Sequence, residues 1–298
     1  MPSAFYGAEL WYDISKTEMN EMEIAQKYVV KRFQGFEKRT PSVMAISSMG
    51  IWTISSFISK MKFLFLGRLL RSNRNSTQKQ MFLCRLSSLI SRECQFKVNK
   101  GFLQDLKNLN LPALFETITN YIDHGIYIQS KDIWKFVVIE EIQTQQKRQW
   151  VHDLSQDSKY LRFANTHVDY EPIIHWKLGI MDPSRLWEYA QLLYLMVLST
   201  QEEQYCLACA KTTNDIVKHF ILECSSLSAT RDIFFEKIVN LLPVEDSINI
   251  LNSDDDVLVE CLLGSRTDVL QNYDFAEWQQ FINLSSNQIS AMLKEFTS

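Results

Sequence analysis

Glycine and proline are scarce, with eight and six in a chain of 298 residues. Few breakers beside abundant Leu, Ile, Lys, Glu and Gln argue against a turn-rich β fold and for helices. A disulfide scaffold is also excluded, because the six cysteines fall at irregular spacing. Such usage fits a reduced, intracellular setting, nucleus or cytoplasm. No Gly-rich phosphate loop and no Gly-x-Ser-x-Gly occurs, so neither P-loop nor serine-hydrolase chemistry has an anchor. The opening MPSAFYGAELW has no basic n-region and no long apolar run, so no secretory leader is expected. Residues 40–59 carry no formal charge over 20 positions, the length of a membrane span. Eight of them are Ser or Thr and one is Pro, so a buried soluble segment is expected there, and no membrane partner.

What is present supports a packed core. The chain is 46% hydrophobic and 12% aromatic, which argues against wholesale disorder, and its length admits two domains or one large one. The net charge of −4 hides an asymmetry: residues 1–100 carry +9 and the remainder −13. A basic half suits a polyanion such as RNA or DNA. Solvated helix surfaces give the same composition, so charge alone does not decide.

The residues that best explain the rest are Tyr205 to Cys224, YCLACAKTTNDIVKHFILEC. Cys206, Cys209, His219 and Cys224 stand there in the order Cys-x2-Cys-x9-His-x4-Cys. Two cysteines two residues apart can aim both sulfurs at one point, and a His and a Cys further on can close a tetrahedron. The polar stretch Lys211 to Asp215 between the pairs suits a loop over a metal. A chance grouping of buried thiols and a surface histidine is the bland alternative. With four protein ligands the zinc would be structural, since no position is left for an activated water. Binding of this kind contributes roughly 10–16 kcal/mol and can fold a segment too small for its own core. Five positions between His219 and Cys224 turn through about 140° on an ideal helix, so the helix must end or bend before Cys224.

The fold class read from the pattern is mainly α. Helices are predicted at 17–33, 41–49, 51–71, 76–94, 101–108, 112–123, 130–154, 184–199, 228–242, 253–264 and 275–296. Thr17, Ser130, Ser228 and Ser253 are read as caps. Residues 4–12 (AFYGAELWY) read as a strand or docking segment, and 164–184 as irregular linker. Four segments follow: a basic helical bundle at 1–110, a helical connector at 111–200, the knuckle segment at 201–244 and an acidic helical tail at 245–298.

Nothing in the sequence proposes an active site, a catalytic residue or a small-molecule substrate. The run INILNSDDDVLVEC (Ile248 to Cys261) resembles two strands around paired acids. It has Asn252 where a reverse-transcribing polymerase carries an aromatic, and a helix start explains the acids by capping and dipole. Cys84, Cys94 and Cys261 read as small buried hydrophobes. His124, His152, His167 and His175 have no second ligand at a telling spacing.

The order of features resembles a known family. YGAELW (Tyr6 to Trp11) precedes a helix that runs into basic residues. Then come Thr40-Pro41, Met49-Gly50, the stretch RQWVHDLSQDSKYLRF (Arg148 to Phe163), the CLAC pair, and HFILEC with a following Arg231. This is similar to the C-terminal part of the reverse transcriptases of LINE-type (non-LTR) retrotransposons, over about residues 4–245. The resemblance implies a helical thumb followed by a Cys-Cys-His-Cys zinc knuckle, both touching RNA or DNA. It implies Cys206, Cys209, His219 and Cys224 as zinc ligands, and Lys27, Lys31, Arg32, Lys38 and Arg39 on the thumb's basic helix. Lys60 and Arg68 are added here as basic candidates from the third helix. The polymerase fingers and palm and the endonuclease have no counterpart here, so the expected protein is a remnant without polymerase activity. AFYGAELW would then have packed on the missing palm, and is expected to be exposed or to pair two copies. The second reading is a zinc-stapled helical scaffold that binds proteins through its acidic half.

Overall fold

The computed structural model describes residues 5–11, 14–36, 38–73, 75–90, 111–125, 127–156, 163, 167, 170–177, 203–264, 266 and 273–297. The fold is mainly α. Packing divides the chain into two units, one of residues 1–26 and 52–149, the other of residues 27–51 and 150–298. The helices predicted at 101–108 and 184–199 lie outside the described residues. No helix of the described residues is long and apolar enough to cross a membrane.

The first unit opens on a turn of 3-10 helix, Ala8–Leu10, entered through a left-handed Gly7. Of the strand or docking segment expected there, the described residues form the second. Ala8 is fully buried with Ile54 and Ile58, against Phe5, Trp11 and Met22. Tyr6 and Leu10 of the same stretch stay exposed. Helix α1 (Lys16–Phe33) begins in this unit. Its cap is Ser15 rather than Thr17. The Glu18 N–H donates to Ser15 Oγ at 3.2 Å and the Ser15 N–H donates to Glu18 Oε2 at 2.8 Å, a reciprocal capping box. The Ser15 N–H and hydroxyl hold the Glu18 carboxyl below its usual range.

Helices α3 (Ile54–Arg71), α4 (Thr77–Ile90), α5 (Pro112–His124) and the start of α6 (Lys131–Ser155) complete the unit. Helix α2 (Ser42–Ser47) belongs to the other. The Thr53 hydroxyl caps α3 by accepting the Ser56 N–H at 3.2 Å. Proline enters α5 at its first turn and a left-handed Gly125 follows its end, the usual asymmetry. Two faces of α3 are buried, Ile54 and Ile58 on one and Phe63, Leu66 and Leu70 on another. Phe57, Met61, Leu64 and Phe65 follow the same helical period and are half-buried, Leu64 and Phe65 packing against the core of Phe63, Leu66 and Leu70. The helical spacing of Met81 and Phe82 on α4 predicts both inward, but Met81 is exposed.

Trp134 fills the centre of this core. Its indole N–H donates to the Phe63 carbonyl at 2.9 Å. That bond requires the ring to lie on the α3 backbone, and Gly67 makes room for it. A Cβ at Gly67 would stand 2.1 Å from Trp134 Nε1. Lys79 is buried over the end of α3. Its ammonium donates to the Ser72 carbonyl at 2.9 Å and to the Leu70 carbonyl. A cation there suits the negative end of the helix dipole.

In the second unit, Gly50 ends the stretch after α2 with φ at 58°. Pro172 lies so close that a Cβ on Gly50 would be 2.4 Å from its Cδ. The Ile173 N–H donates to the Ser48 carbonyl at 2.9 Å, joining these two segments. The remainder holds the two-stranded sheet β1 (Gln204–Tyr205) and β2 (Thr212–Thr213), then α7 (Ile216–Lys218), a π turn (His219–Glu223) and a 3-10 turn (Ser225–Leu227). Helices α8 (Ser228–Leu241), α9 (Val244–Leu251), α10 (Asp255–Leu262) and α11 (Phe275–Thr297) follow. Phe220, Phe234, Ile238, Ile250, Val259 and Phe281 lie in one core. The knuckle and the acidic tail therefore share a hydrophobic interior.

Helix α9 has no counterpart in the sequence reading, which stopped at Pro243 and resumed at Ser253. Proline at a helix entrance is favourable rather than terminating, and Pro243 serves as the N-cap of α9. Ser228 does not cap α8, whose N-cap position is Leu227 without a side-chain bond. The cap of α10 is Asp254 rather than Ser253, its carboxylate accepting the Asp256 N–H at 3.1 Å. The paired acids thus open a helix and do not sit between strands.

Gly67→Ala is expected to lower the stability of the first unit by about 2–3 kcal/mol, the cost of overpacking a rigid site. Urea unfolding followed by tryptophan fluorescence checks this, and an unchanged midpoint would contradict the contact.

Candidate metal centre

The centre is built from a hairpin and a helix start. In the sheet Gln204 pairs with Thr213 and Tyr205 with Thr212, antiparallel. The Cys206 N–H donates to the Lys211 carbonyl at 2.8 Å, and the Ala210 N–H donates to the Cys206 carbonyl at 2.9 Å. These bonds curl Cys206 to Ala210 into a tight loop that turns both sulfurs inward. Ala210 takes a left-handed φ of 58°, a conformation that costs an L-residue roughly 1–2 kcal/mol. Ser226 Oγ donates to the Ala208 carbonyl at 2.8 Å, fastening the loop to the segment after Cys224.

The second ligand pair arrives on α7. Asp215 is its N-cap, accepting the Val217 and Lys218 N–H groups at 3.0 Å each. The helix then widens. The Cys224 N–H donates to the His219 carbonyl at 2.7 Å, a bond from residue i+5 to residue i. Such a π turn spreads one hydrogen-bonded ring over five residues, so His219 and Cys224 come round to the same side. On a regular α-helix they would point about 140° apart. The expected bend before Cys224 takes this form.

The ligand atoms of Cys206, Cys209, His219 and Cys224 all lie within 4.8 Å of one another. Cys206 Sγ and Cys224 Sγ are 3.9 Å apart, and Cys209 Sγ is 3.1 Å from His219 Nε2. In a tetrahedron with sulfur about 2.3 Å and nitrogen about 2.0 Å from the metal, these edges would be about 3.8 Å and 3.5 Å. The four could therefore hold a metal ion. Cys206, Cys224 and His219 are buried and Cys209 is half-buried, so the site is closed by protein on most sides. On Cys209, burial pushes the thiol up, but the Lys211 N–H together with Cys206, His219 and Cys224 brings it down to about 7. Burial pushes the Cys224 thiol up. His219 Nδ1 faces the Glu223 carboxylate at 3.5 Å. Lys218 Nζ pairs with Asp255 at 2.8 Å, joining the site to α10.

All four residues expected as ligands are brought together. The basic candidates lie elsewhere. Lys27, Lys31 and Arg32 are on the last turns of α1, and Lys38 and Arg39 follow it, both exposed. Lys31 Nζ donates to the Lys38 carbonyl at 3.1 Å, drawing the two groups together. Burial, and then the like charge of Lys27, lower the Lys31 ammonium from its usual value. In the other unit, Lys60 Nζ sits 4.8 Å over the Trp52 ring, a cation–π contact. Arg68 stands over Phe65 and 3.7 Å from the Glu9 carboxylate.

Of the remaining cysteines, Cys261 is buried as read and Cys84 is exposed, against the reading; Cys94 lies outside the described residues. His124 and His152 are exposed, and His167 Nε2 is 3.2 Å from the Ser47 carbonyl. The side chain of His175 lies outside the described residues. The sequence reading missed Asp215, Ala210 and Glu223. An Asp just before a short apolar helix signals the first, and a carboxylate four residues beyond a histidine signals the last. Ala210 gives no signal by residue type.

No family model, no curated protein and no solved structure matches this chain.

Ala210→Gly is expected to raise thermal stability, by up to about 1 kcal/mol, because glycine takes the left-handed conformation without strain. A lower melting temperature would show that Ala210 is not strained as described.

Proposed function

We propose that the chain is a zinc-binding, nucleic-acid-binding segment akin to the C-terminal part of a non-LTR retrotransposon reverse transcriptase. It would hold one structural zinc and RNA or DNA. The observation that carries the zinc is the convergence of three thiols and one imidazole in the order Cys-x2-Cys-x9-His-x4-Cys. Thiolate and imidazole donors in a closed tetrahedral set suit zinc above magnesium or calcium, which take oxygen ligands. The nucleic-acid part rests on the family resemblance and on the +9 charge of residues 1–100. Lys27, Lys31, Arg32, Lys38 and Arg39 are the contacts proposed on and after α1, with Lys60 and Arg68 on α3. Exposed aromatics on α1, Tyr28 and Phe33, support the same reading. Self-association through residues 4–12 remains a proposal, supported by the exposure of Tyr6 and Leu10.

One observation favours the scaffold reading. Cys206 and Cys224 lie in the same core as Phe234, Ile250 and Phe281 of the tail helices. A metal there staples the helices of the acidic half and needs no nucleic acid to justify it. The two readings part on salt. A nucleic-acid protein binds a short single-stranded RNA or DNA with affinity that falls steeply as salt rises.

Purified protein is expected to carry one zinc per chain and Cys206→Ser to lose it, as metal analysis measures. Reversing Lys31, Arg32 and Lys38 to Glu together is expected to lower the slope of log affinity against log salt by about 3, near one per phosphate contact. Zinc without salt-dependent binding selects the scaffold.

A further inference from the structure

His219 has two ring nitrogens, and the site treats them differently. Nε2 stands 3.1 Å from Cys209 Sγ, among the ligand atoms. Nδ1 points the other way, 3.5 Å from Glu223 Oε2. A ring that gives its Nε2 lone pair to a metal is neutral and keeps its one remaining proton on Nδ1. The contact with Glu223 then becomes a hydrogen bond from Nδ1–H to a carboxylate. Such a partner fixes the tautomer, holds the ring plane and makes the ligating nitrogen more basic. His219 is buried while Glu223 is half-exposed, so the carboxylate reaches from the surface to the buried ring.

The backbone makes this geometry specific. Glu223 closes the π turn and directly precedes Cys224. The same widened turn that brings Cys224 to the metal side leaves Glu223 beside the outer nitrogen of His219. Lys218 is engaged with Asp255, and Asp215 is engaged with the N–H groups of α7.

We infer that Glu223 is a positioning residue for the metal centre, orienting His219 through Nδ1 so that Nε2 faces the metal. This inference rests on the zinc reading above. Glu223 touches no metal itself and adds no ligand.

The test is zinc affinity of the full chain, measured by competition with a chromophoric chelator, with nitrogen-15 NMR of the His219 ring as second readout. Glu223→Ala is expected to weaken zinc about tenfold, the lower end for outer partners of metal-bound histidines. Glu223→Gln, whose amide oxygen still accepts, is expected to recover most of the loss. In the zinc-loaded wild type the Nδ1 proton should be slow to exchange, and in Glu223→Ala fast. Wild-type affinity in the alanine variant with an unchanged Nδ1 proton would overturn the inference while leaving the zinc reading intact. A weakened alanine variant that glutamine does not rescue, with an unchanged Nδ1 proton, would also overturn it, since the loss would then come from the turn. A wild-type chain that takes up no zinc would overturn both.

Discussion

The constraint on which the second unit depends is angular. His219 and Cys224 are five residues apart, and a regular helix would send them in directions about 140° apart. The chain resolves this with one i+5 to i hydrogen bond, from the Cys224 N–H to the His219 carbonyl at 2.7 Å. That bond sets the third and fourth ligands together. It also fixes how α8 leaves the site, because the 3-10 turn Ser225–Leu227 and then α8 follow at once. Phe220, inside the π turn, is buried and meets Phe296 of α11 edge-on at 5.3 Å between ring centres. Ligand geometry and core packing are therefore consequences of one irregular turn.

The opposite half of the centre is held by different means. The Cys206–Ala210 loop has little core of its own. It relies on backbone bonds, on the Ser226 clasp and on a left-handed Ala210. A metal would complete it, since three thiols and an imidazole converge there within 4.8 Å of one another. That division of labour suits a structural ion, with a rigid buried side and a loop that the ion draws in. A filled set of four protein ligands gives the ion no catalytic vacancy.

Much of this was legible in the sequence. Apolar periodicity located helices such as α1, α3, α6 and α11 because their buried faces repeat at the helical period. The ligand set was legible because thiol and imidazole spacing is itself the chemistry. The bend before Cys224 followed from angle arithmetic, though not its form, because π and 3-10 exits have the same sequence signature. Helix α9 was missed since Pro243 was read as an end when it is an entrance. Periodicity located α3 but not its two packing partners, since the helix buries one face against Ala8 and another against Trp134. Periodicity reports one stripe and says nothing of a second. Gly67 was not singled out either, since a close approach of an indole to a helix backbone leaves no mark other than a small residue.

The central claim is that Cys206, Cys209, His219 and Cys224 hold one zinc in a closed tetrahedron. Zinc K-edge X-ray absorption on the purified full chain addresses it most directly. The account predicts three sulfurs at about 2.3 Å and one nitrogen at about 2.0 Å. A shell of oxygens and nitrogens alone, or one with fewer than three sulfurs, would contradict it.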